Sequence, residues 1–258
     1  MTITVPIVET GPTPTGSVSA NAPRRTALVL HGGGGPRTVA TIVEHLADDM
    51  HVLAPTHPGW DGTVRPESID SVAALATAYL ELLVDRGERD VVLVGSSIGG
   101  WLALEMALQA AESPRFAGVV GAVVDIDGVG AVVEGEPLAD FFALDARGLA
   151  EAAWHDPERG YVDPAGLSEH QRAIQQGNGR TMAAIASDDP ELLGKLARID
   201  VPVLVLWGAS DRIGTPAYGR VVAAGIPGAR FEVVERAGHL PHLERPDVTF
   251  ERIDAFLS

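Results

Sequence analysis

A serine between two glycines has the clearest chemical potential in this sequence. Residues 91–101 read V-V-L-V-G-S-S-I-G-G-W, in which Gly95, Ser97 and Gly99 form a G-x-S-x-G pattern. Small residues two positions before and after the serine permit the sharp strand-to-helix turn that exposes a nucleophilic hydroxyl. Ser96 does not fit this register, because Val and Ile would then take the two small-residue positions. The pattern predicts Ser97 as a nucleophile.

A run of glycines follows the first buried strand pattern, Thr26–Leu30. The run H-G-G-G-G begins at His31, and glycines let a backbone N–H approach a substrate oxygen closely. We predict the N–H groups of Gly33 and Ile98 as oxyanion donors and Gly34 as part of the substrate pocket. His31 is predicted to be structural. A phosphate-binding loop is the competing interpretation, but G-x-x-x-x-G-K-[ST] and G-x-G-x-x-G spacing are both missing.

A carboxylate is needed to orient a histidine base. Asp211 comes shortly after the apolar run Val201–Trp207, and Thr215 has the character of a helix cap. Asp125 and Asp127 follow an earlier strand pattern and are the rival acids. We prefer Asp211 because its strand-loop-helix context is clearer, although all three give the chain order Ser, Asp, His.

The base is predicted from a loop near the end of the sequence. His239 follows the strand pattern Phe231–Val234 and precedes the last helix pattern. Imidazole suits this role because it takes up and releases protons near neutrality. His242 is the competitor and is interpreted as helping to begin the helix.

The elements that position these residues are strands alternating with helices. Strands rich in Val and Leu predict a mostly parallel sheet with helices on both faces, whose reactive groups lie at the carboxyl ends of the strands. Residues 11–25 are predicted to be a loop or hairpin connection. The predicted strands are Thr26–Leu30, His51–Ala54, Val91–Val94, Val119–Val124, Val201–Trp207 and Arg230–Val234. The predicted helices cover residues 38–48, 68–86, 98–111 and 246–257.

One long segment interrupts this alternation. Residues 128–196 contain helix-like pieces around 137–153 and 168–186 but no comparable strand pattern. We predict a helical cap there, inserted into a core formed by residues 1–127 and 197–258. Its aromatic side chains are interpreted as substrate-pocket residues, with the interior of the cap as the open alternative. They are Phe141, Phe142, Trp154 and Tyr161.

Composition limits the classes of partner. The net charge of −16 disfavours nucleic acid and anionic membranes, and no apolar stretch approaches the ~18 residues of a membrane span. The absence of cysteine excludes thiolate nucleophiles and cysteine-ligated zinc. The N-terminus lacks the pattern of a secretory signal, so a cytoplasmic location is expected. We expect a small-molecule substrate, no metal and no cofactor, and we predict no oligomeric state.

Together these motifs resemble the α/β-hydrolase superfamily. The resemblance extends from H-G-G-G-G at residue 31, through G-S-S-I-G-G at 95 and W-G-A-S-D at 207, to A-G-H at 238. It implies a cap over the substrate pocket and ester cleavage without a metal or organic cofactor. Serine at the nucleophile position disfavours dehalogenase and epoxide hydrolase activity. The loop at 55–63 departs from the family's D-x-x-G-x-G-x-S, so His57 and Trp60 receive no role.

Three functions remain open at this point. The first is hydrolysis of a carboxylic ester of a small, mostly apolar substrate. The second is C–C bond hydrolysis of a dienone acid, because the glycine run is similar to that branch of the superfamily. Such a substrate needs cationic groups for its carboxylate, and the candidates are Arg172, Arg180 and Lys195. The third is a hydrolase-like scaffold that binds a ligand without turnover.

Overall fold

A seven-stranded sheet forms the centre of the molecule. The computed structural model describes residues 4–11 and 25–258. The strands are β1 (Ile7–Thr10), β2 (Thr26–Leu30), β3 (His51–Pro55), β4 (Val91–Ser96), β5 (Val120–Ile126), β6 (Val203–Gly208) and β7 (Arg230–Val234). Their order is β1-β3-β2-β4-β5-β6-β7, in which β1 pairs antiparallel with β3 and the other neighbours pair parallel. The prediction of a mostly parallel sheet is therefore confirmed.

The sequence patterns find six of these strands but miss β1. This strand has only four residues at the edge of the sheet, and Val8 is 60% exposed. A short, half-exposed edge strand needs little apolar sequence, so it gives no strong pattern. The predicted loop at residues 11–25 falls almost entirely outside the described residues.

Helices cover both faces of the sheet. The α-helices are α1 (Ala40–Leu46), α2 (Val72–Arg86), α3 (Ile98–Glu112), α4 (Ala146–Ala153), α5 (Pro157–Gly160), α6 (Glu169–Ile185), α7 (Leu192–Lys195), α8 (Pro216–Ala224), α9 (Pro241–Glu244) and α10 (Pro246–Leu257). Alternate residues of a strand point to opposite faces. Leu28 and Leu30 therefore join the core that contains α2, α3 and α8, whereas Ala27 and Val29 join the core beneath α1 and α10.

The segment predicted as a cap, residues 128–196, is helical. It contains α4 to α7, and within the described residues its β-pairing is a single bridge between Ala131 and Asp189. The carbonyl groups of Ala152 and Ala153, at the end of α4, accept hydrogen bonds from loops after β6 and β7. The helical segment is thereby attached to the carboxyl edge of the sheet. Its division from the core as a separate cap stays a prediction.

Candidate active site

Ser97 lies at the turn between β4 and α3. Its backbone has φ of 59°, a conformation that costs energy for a non-glycine residue. The flanking glycines permit the turn, because a Cβ at Gly95 would lie 2.0 Å from the carbonyl oxygen of Gly99. A Cβ at Gly99 would in turn lie 2.1 Å from the carbonyl oxygen of Leu30. The steric reason for the G-x-S-x-G pattern is therefore present at the predicted serine.

The three residues predicted for catalysis meet at the carboxyl edge of the sheet. The Ser97 hydroxyl lies 2.9 Å from Nε2 of His239, and Nδ1 of His239 lies 2.8 Å from Oδ2 of Asp211. His239 is 7% exposed and Asp211 is 3% exposed. Hydroxyl, imidazole and carboxylate therefore form one continuous line of hydrogen bonds, shielded from solvent at its acidic end.

Backbone contacts fix both the acid and the base. Oδ1 of Asp211 accepts the N–H of Ile213 at 2.8 Å, which leaves Oδ2 for the imidazole. The N–H of His239 donates to the carbonyl of Ala153 at 2.7 Å. The N–H of Arg212 donates to the neighbouring carbonyl of Ala152 at 2.9 Å. The end of α4 thus holds the two loops in register, a relation between distant residues that no sequence motif encodes.

The two predicted oxyanion donors lie beside Ser97. Ile98 is the first residue of α3, where a helix supplies no acceptor for the N–H. Within the part of the chain that the structure describes, the N–H of Gly33 also has no hydrogen-bond acceptor. The backbone approaches closely here, since a Cβ at Gly32 would lie 2.8 Å from Cβ of Ser97. The glycine segment thus leaves backbone N–H groups available next to the hydroxyl.

Trp60, which has no predicted role, supports this glycine segment. Its indole N–H donates to the carbonyl of Gly33 at 3.0 Å, and its side chain is fully buried. On the other side, a Cβ at Gly33 would lie 2.6 Å from the sulfur of Met182 in α6. Gly33 is therefore held between a tryptophan of the core and a methionine of the predicted cap.

His31 and His57 form a buried pair beneath the same segment. Their rings stack with centroids 3.8 Å apart, and His57 contacts the Tyr79 hydroxyl through Nδ1 at 2.7 Å. His57 Nε2 faces the carbonyl of His31, and His31 Nδ1 faces the carbonyl of Gly32. Because a carbonyl oxygen only accepts, His57 Nε2 and His31 Nδ1 must each carry the ring proton. The other nitrogen of His31, Nε2, is then an acceptor and receives the backbone N–H of His57 at 3.0 Å.

Burial is the largest cause that lowers the pKa of both histidines. The pKa of His31 falls to about 4, and that of His57 lies well below its usual range, with the neighbouring His31 adding to the effect. The pair is therefore neutral near pH 7, in agreement with a structural role for His31.

The rival acids, Asp125 and Asp127, form no hydrogen bond with the imidazole in the described part of the chain. Both are fully buried. The Asp125 carboxylate packs against Gly100 and Gly128, where an added Cβ would come within 2.1 Å of its Oδ1. Burial raises the pKa of Asp125 to about 7. The structure thus brings Asp211, and neither rival, within hydrogen-bond distance of the imidazole.

One group of described side chains has the spacing of a metal site. Asp127, Asp211 and His239 each offer a ligand atom, all within 4.8 Å of one another. Nδ1 of His239 already donates its proton to Asp211, and a metal at that nitrogen requires the proton to leave. We therefore interpret the group as a hydrogen-bonded acid and imidazole, and we assign no metal to it.

Glu244 connects the loop of His239 to the helical segment, a contact that sequence reasoning missed. Its buried carboxylate accepts backbone N–H groups from Gly238, His155 and Asp156 at 2.7, 3.0 and 3.1 Å. It therefore joins the loop of His239 to the helical segment. Glutamate in the pattern H-L-P-H-L-E looks like an ordinary surface residue, so nothing local signals this role.

His242 lies in the short helix α9, before α10. It is fully buried, and its Nε2 donates to the carbonyl of Thr38 at 2.8 Å. Burial lowers its pKa to about 4. His242 thus supports the segment that follows the glycine run, and it does not contact Ser97.

The predicted substrate-pocket residues have mixed surroundings. Phe141 and Phe142 pack edge to face on each other, and Phe142 is 58% exposed. Trp154 packs on Gly160, and Tyr161 lies beneath the guanidinium of Arg147 at 4.3 Å. Gly34 is exposed beside Thr38. Each makes a contact of its own, and their role in substrate binding stays a prediction.

An open groove of about 500 Å³ runs between the loop after β3 and helix α6. Arg180 lines this groove, whereas Arg172 donates to the carbonyl of Leu167 and Lys195 forms ion pairs with acidic neighbours. The groove is lined by Gly59, Gly62, Thr63, Arg65, His170, Ala173, Ile174, Gly177, Arg180 and Thr181. Of the three cationic candidates, Arg180 is thus the one that lines this groove.

The described part of the chain contains no helix that is both long and apolar enough to cross a bilayer.

Lipase 1 of Psychrobacter immobilis is 25% identical over 252 residues, which cover 93% of this chain and 79% of that protein. A thermophilic esterase from Thermogutta terrifontis has a similar structure, with a TM-score of 0.74 at 21% identity, covering 98% of this chain and 92% of the other. The enol-lactonase from Burkholderia xenovorans LB400 has a TM-score of 0.72 at 20% identity, covering 98% and 96%.

At these identities the solved structures establish the fold alone. The sequence-family comparison goes further, because the model of the alpha/beta hydrolase family matches residues 27–252. That match covers most of the chain, including the serine, acid and base described above. This protein belongs to the alpha/beta hydrolase family.

Proposed function

We propose that this protein is a serine hydrolase that cleaves a carboxylic ester, or a related acyl compound, of a small and mostly apolar substrate. The observation that carries the proposal is the line from the Ser97 hydroxyl through His239 to Asp211, with contacts of 2.9 and 2.8 Å. The names of the similar proteins, a lipase, an esterase and an enol-lactonase, support ester chemistry.

The first half-reaction forms an acyl-enzyme. His239 Nε2 takes the proton of Ser97 as the serine oxygen attacks the substrate carbonyl carbon. The carbonyl oxygen becomes an oxyanion and accepts the N–H groups of Gly33 and Ile98, each worth about 3 kcal/mol by analogy with other acyl-transfer enzymes. The imidazolium is stabilised by Asp211 and then gives its proton to the leaving alcohol as the C–O bond breaks.

The second half-reaction releases the acid. His239 removes a proton from water, whose oxygen attacks the acyl carbon and forms a second oxyanion. When this intermediate collapses, the bond to Ser97 breaks and the serine oxygen regains a proton from the imidazolium. Asp211 holds Nδ1 protonated throughout, so that Nε2 always faces the reacting oxygen.

The experiment compares Ser97→Ala with the neighbouring Ser96→Ala in hydrolysis of 4-nitrophenyl acetate. Ser96 is buried one residue before the turn and serves as a matched control. We expect S97A to abolish turnover and S96A to retain it, with kcat/KM rising with pH as the base loses its proton. A fluorophosphonate should label Ser97 in the wild type and in S96A. Turnover that persists in S97A, without labelling of the wild type, rules out the serine mechanism.

The position of Arg180 keeps a C–C bond hydrolase as the second candidate. Arg180 lines the groove beside α6, and a guanidinium there would pair with a substrate carboxylate. Rapid cleavage of a dienone acid, together with failure on simple esters, would favour this alternative. Binding of an acyl compound without turnover would instead favour a non-catalytic scaffold.

A further inference from the structure

Asp127 is tied to the strand that leads to the proposed acid. It follows β5 directly and has φ of 49°, an unusual backbone conformation for a residue with a side chain. Its N–H donates to the carbonyl of Leu206 at 2.9 Å, and its Oδ1 accepts the N–H of Gly208 at 2.8 Å. Both partners lie in β6, three to five residues before Asp211. The side chain is therefore fixed from two sides.

The remaining oxygen of Asp127 has no donor among the described residues. Oδ2 is fully buried and receives no hydrogen bond from any group in the described chain. Asp127 lies with Asp211 and His239 in the group whose ligand atoms are all within 4.8 Å of one another. The carboxyl group of Asp125 projects from the same strand two residues earlier. Two carboxyl groups, those of Asp127 and Asp211, thus lie beside one imidazole, and all three side chains are buried.

The Asp211 carboxyl group receives more hydrogen bonds than that of Asp127. Its Oδ1 accepts the N–H of Ile213, and its Oδ2 accepts the Nδ1–H of His239. Two donors stabilise Asp211 as an anion, whereas Asp127 has one donor and a bare oxygen. Two neighbouring buried carboxylates do not both ionise, so the proton belongs on the less stabilised group.

We propose that Asp127 is a positioning residue that stays protonated and donates its O–H to Asp211, orienting that carboxylate toward His239. The proposal rests on the proposed function of the same site. Burial, followed by the charge of Asp211, raises the pKa of Asp127 well above its usual range. A neutral Asp127 leaves the charge on Asp211, which contacts the imidazole, and supplies a third donor to that carboxylate.

The decisive variant is Asp127→Asn. Its amide oxygen can accept from Gly208 and its amide N–H can donate to Asp211, with no change of charge if Asp127 is neutral. We expect D127N to lower kcat/KM by less than about fivefold and to move the acid-side midpoint of its pH profile by less than ~0.3 units. If Asp127 is instead an anion, D127N removes a buried charge beside the imidazole and lowers that midpoint by more than about one unit.

Asp127→Leu tests the donor itself. Leucine has a similar shape but cannot donate to Asp211, so we expect kcat to fall on the order of tenfold at nearly constant KM, and D127N to recover most of that loss. Equal activities of D127L and wild type would overturn the positioning role. If D127L fails to fold, the pH profile of D127N still decides the protonation state.

A measurement on the resting wild type requires no turnover. Aspartate labelled with ¹³C at the carboxyl carbon should show one resonance that keeps the shift of a protonated acid up to pH 8 and is missing in D127N. Asp125→Asn removes the other candidate signal, which should titrate near pH 7. An ionised Asp127 resonance at pH 7 would overturn the proposal. Fluorophosphonate labelling of Ser97 in the same sample tests the serine mechanism separately, so failure of one does not imply failure of the other.

Discussion

Two buried polar regions lie on opposite sides of Ser97 and solve different problems. The first contains the loop histidines, His31, His57 and His242, which hydrogen-bond along the glycine segment and its continuation to Thr38. The second is the carboxyl cluster, formed by Asp125, Asp127 and Asp211 around His239. Histidines that hydrogen-bond to backbone groups and a tyrosine hydroxyl form a scaffold. A histidine placed between a hydroxyl and a carboxylate is equipped to move a proton.

The two regions should respond to pH in opposite directions. The folded-state pKa of each loop histidine lies below its unfolded value, so folding expels protons there and acid destabilises that region. Asp125 and Asp127 have raised folded-state pKa values, so the native state holds protons that the unfolded chain gives up. Stability from that region falls as the pH rises. The pH ranges of these two effects overlap, so variants that remove one titrating group at a time are needed to separate the effects.

The largest expected effect is that of Asp125→Asn. Unfolded aspartate has a pKa of 3.8, and the folded value is about 7. The unfolding free energy of the wild type therefore falls as the pH rises from 3.8 to about 7, and Asp125 causes no further loss at higher pH. Relative to wild type, D125N should gain about 4 kcal/mol of unfolding free energy between pH 4 and pH 8, measured by urea denaturation.

Asp200→Asn is the matched control for this measurement, because Asp200 is exposed. Its difference from wild type should change little with pH. A D125N difference that is constant across the window would mean that Asp125 is ionised in the native protein, and the carboxyl cluster would then carry more charge than described.

For His242→Gln, the difference in unfolding free energy from wild type should change with pH in the opposite direction and by a smaller amount. Glutamine can keep the donor to Thr38 while removing the titrating ring, whose pKa is about 4 folded and 6.5 unfolded. The wild type has its full histidine contribution above pH 6.5 and loses it as the pH falls toward 4. Relative to wild type, H242Q should therefore gain about 3 kcal/mol of unfolding free energy as the pH falls from 6.5 to 4.

Exposed His170 provides the control on this side, since His170→Gln removes an imidazole from the surface. Urea denaturation at several pH values between 4 and 7 gives the slopes. If H242Q and H170Q have the same slope, the His242 ring is not held neutral by burial, and the contrast between the two regions disappears.

The contrast also explains what the sequence could predict. Ser97, Asp211 and His239 each follow a strand, and the strand order brings those strand ends together, so local patterns are sufficient to predict that these side chains meet. Asp127 and Glu244 make contacts across 81 and 89 residues, respectively, and no spacing rule predicts such contacts. The role of Trp60 depends on which carbonyl its indole reaches, which only the folded chain specifies.

Strand prediction succeeds where both faces of a strand are buried and fails for the strand at the exposed edge of the sheet. Buried strands such as Val91–Ser96 and Val203–Gly208 are continuous apolar runs, because both faces of the sheet are covered. β1, at an exposed edge, has no such run. The ends of helices were also shifted, as at α2, which begins at Val72, where Ser71 caps it, rather than near residue 68.

The smallest expected effect comes from Tyr79→Phe, which tests the proton positions in the loop histidines. The Tyr79 hydroxyl donates to His57 Nδ1, so the variant leaves one buried acceptor without a partner. We expect a loss of about 1 kcal/mol of unfolding free energy that is constant between pH 7 and pH 8. The Tyr161 hydroxyl makes no hydrogen bond in the described residues, so Tyr161→Phe should cost less and is the control.

¹⁵N NMR should show opposite tautomers in the stacked rings, with the proton on Nδ1 of His31 and on Nε2 of His57. Identical tautomers would mean that one of the two carbonyl contacts is not a hydrogen bond, and the pair would then be a weaker support for the glycine segment than its geometry indicates.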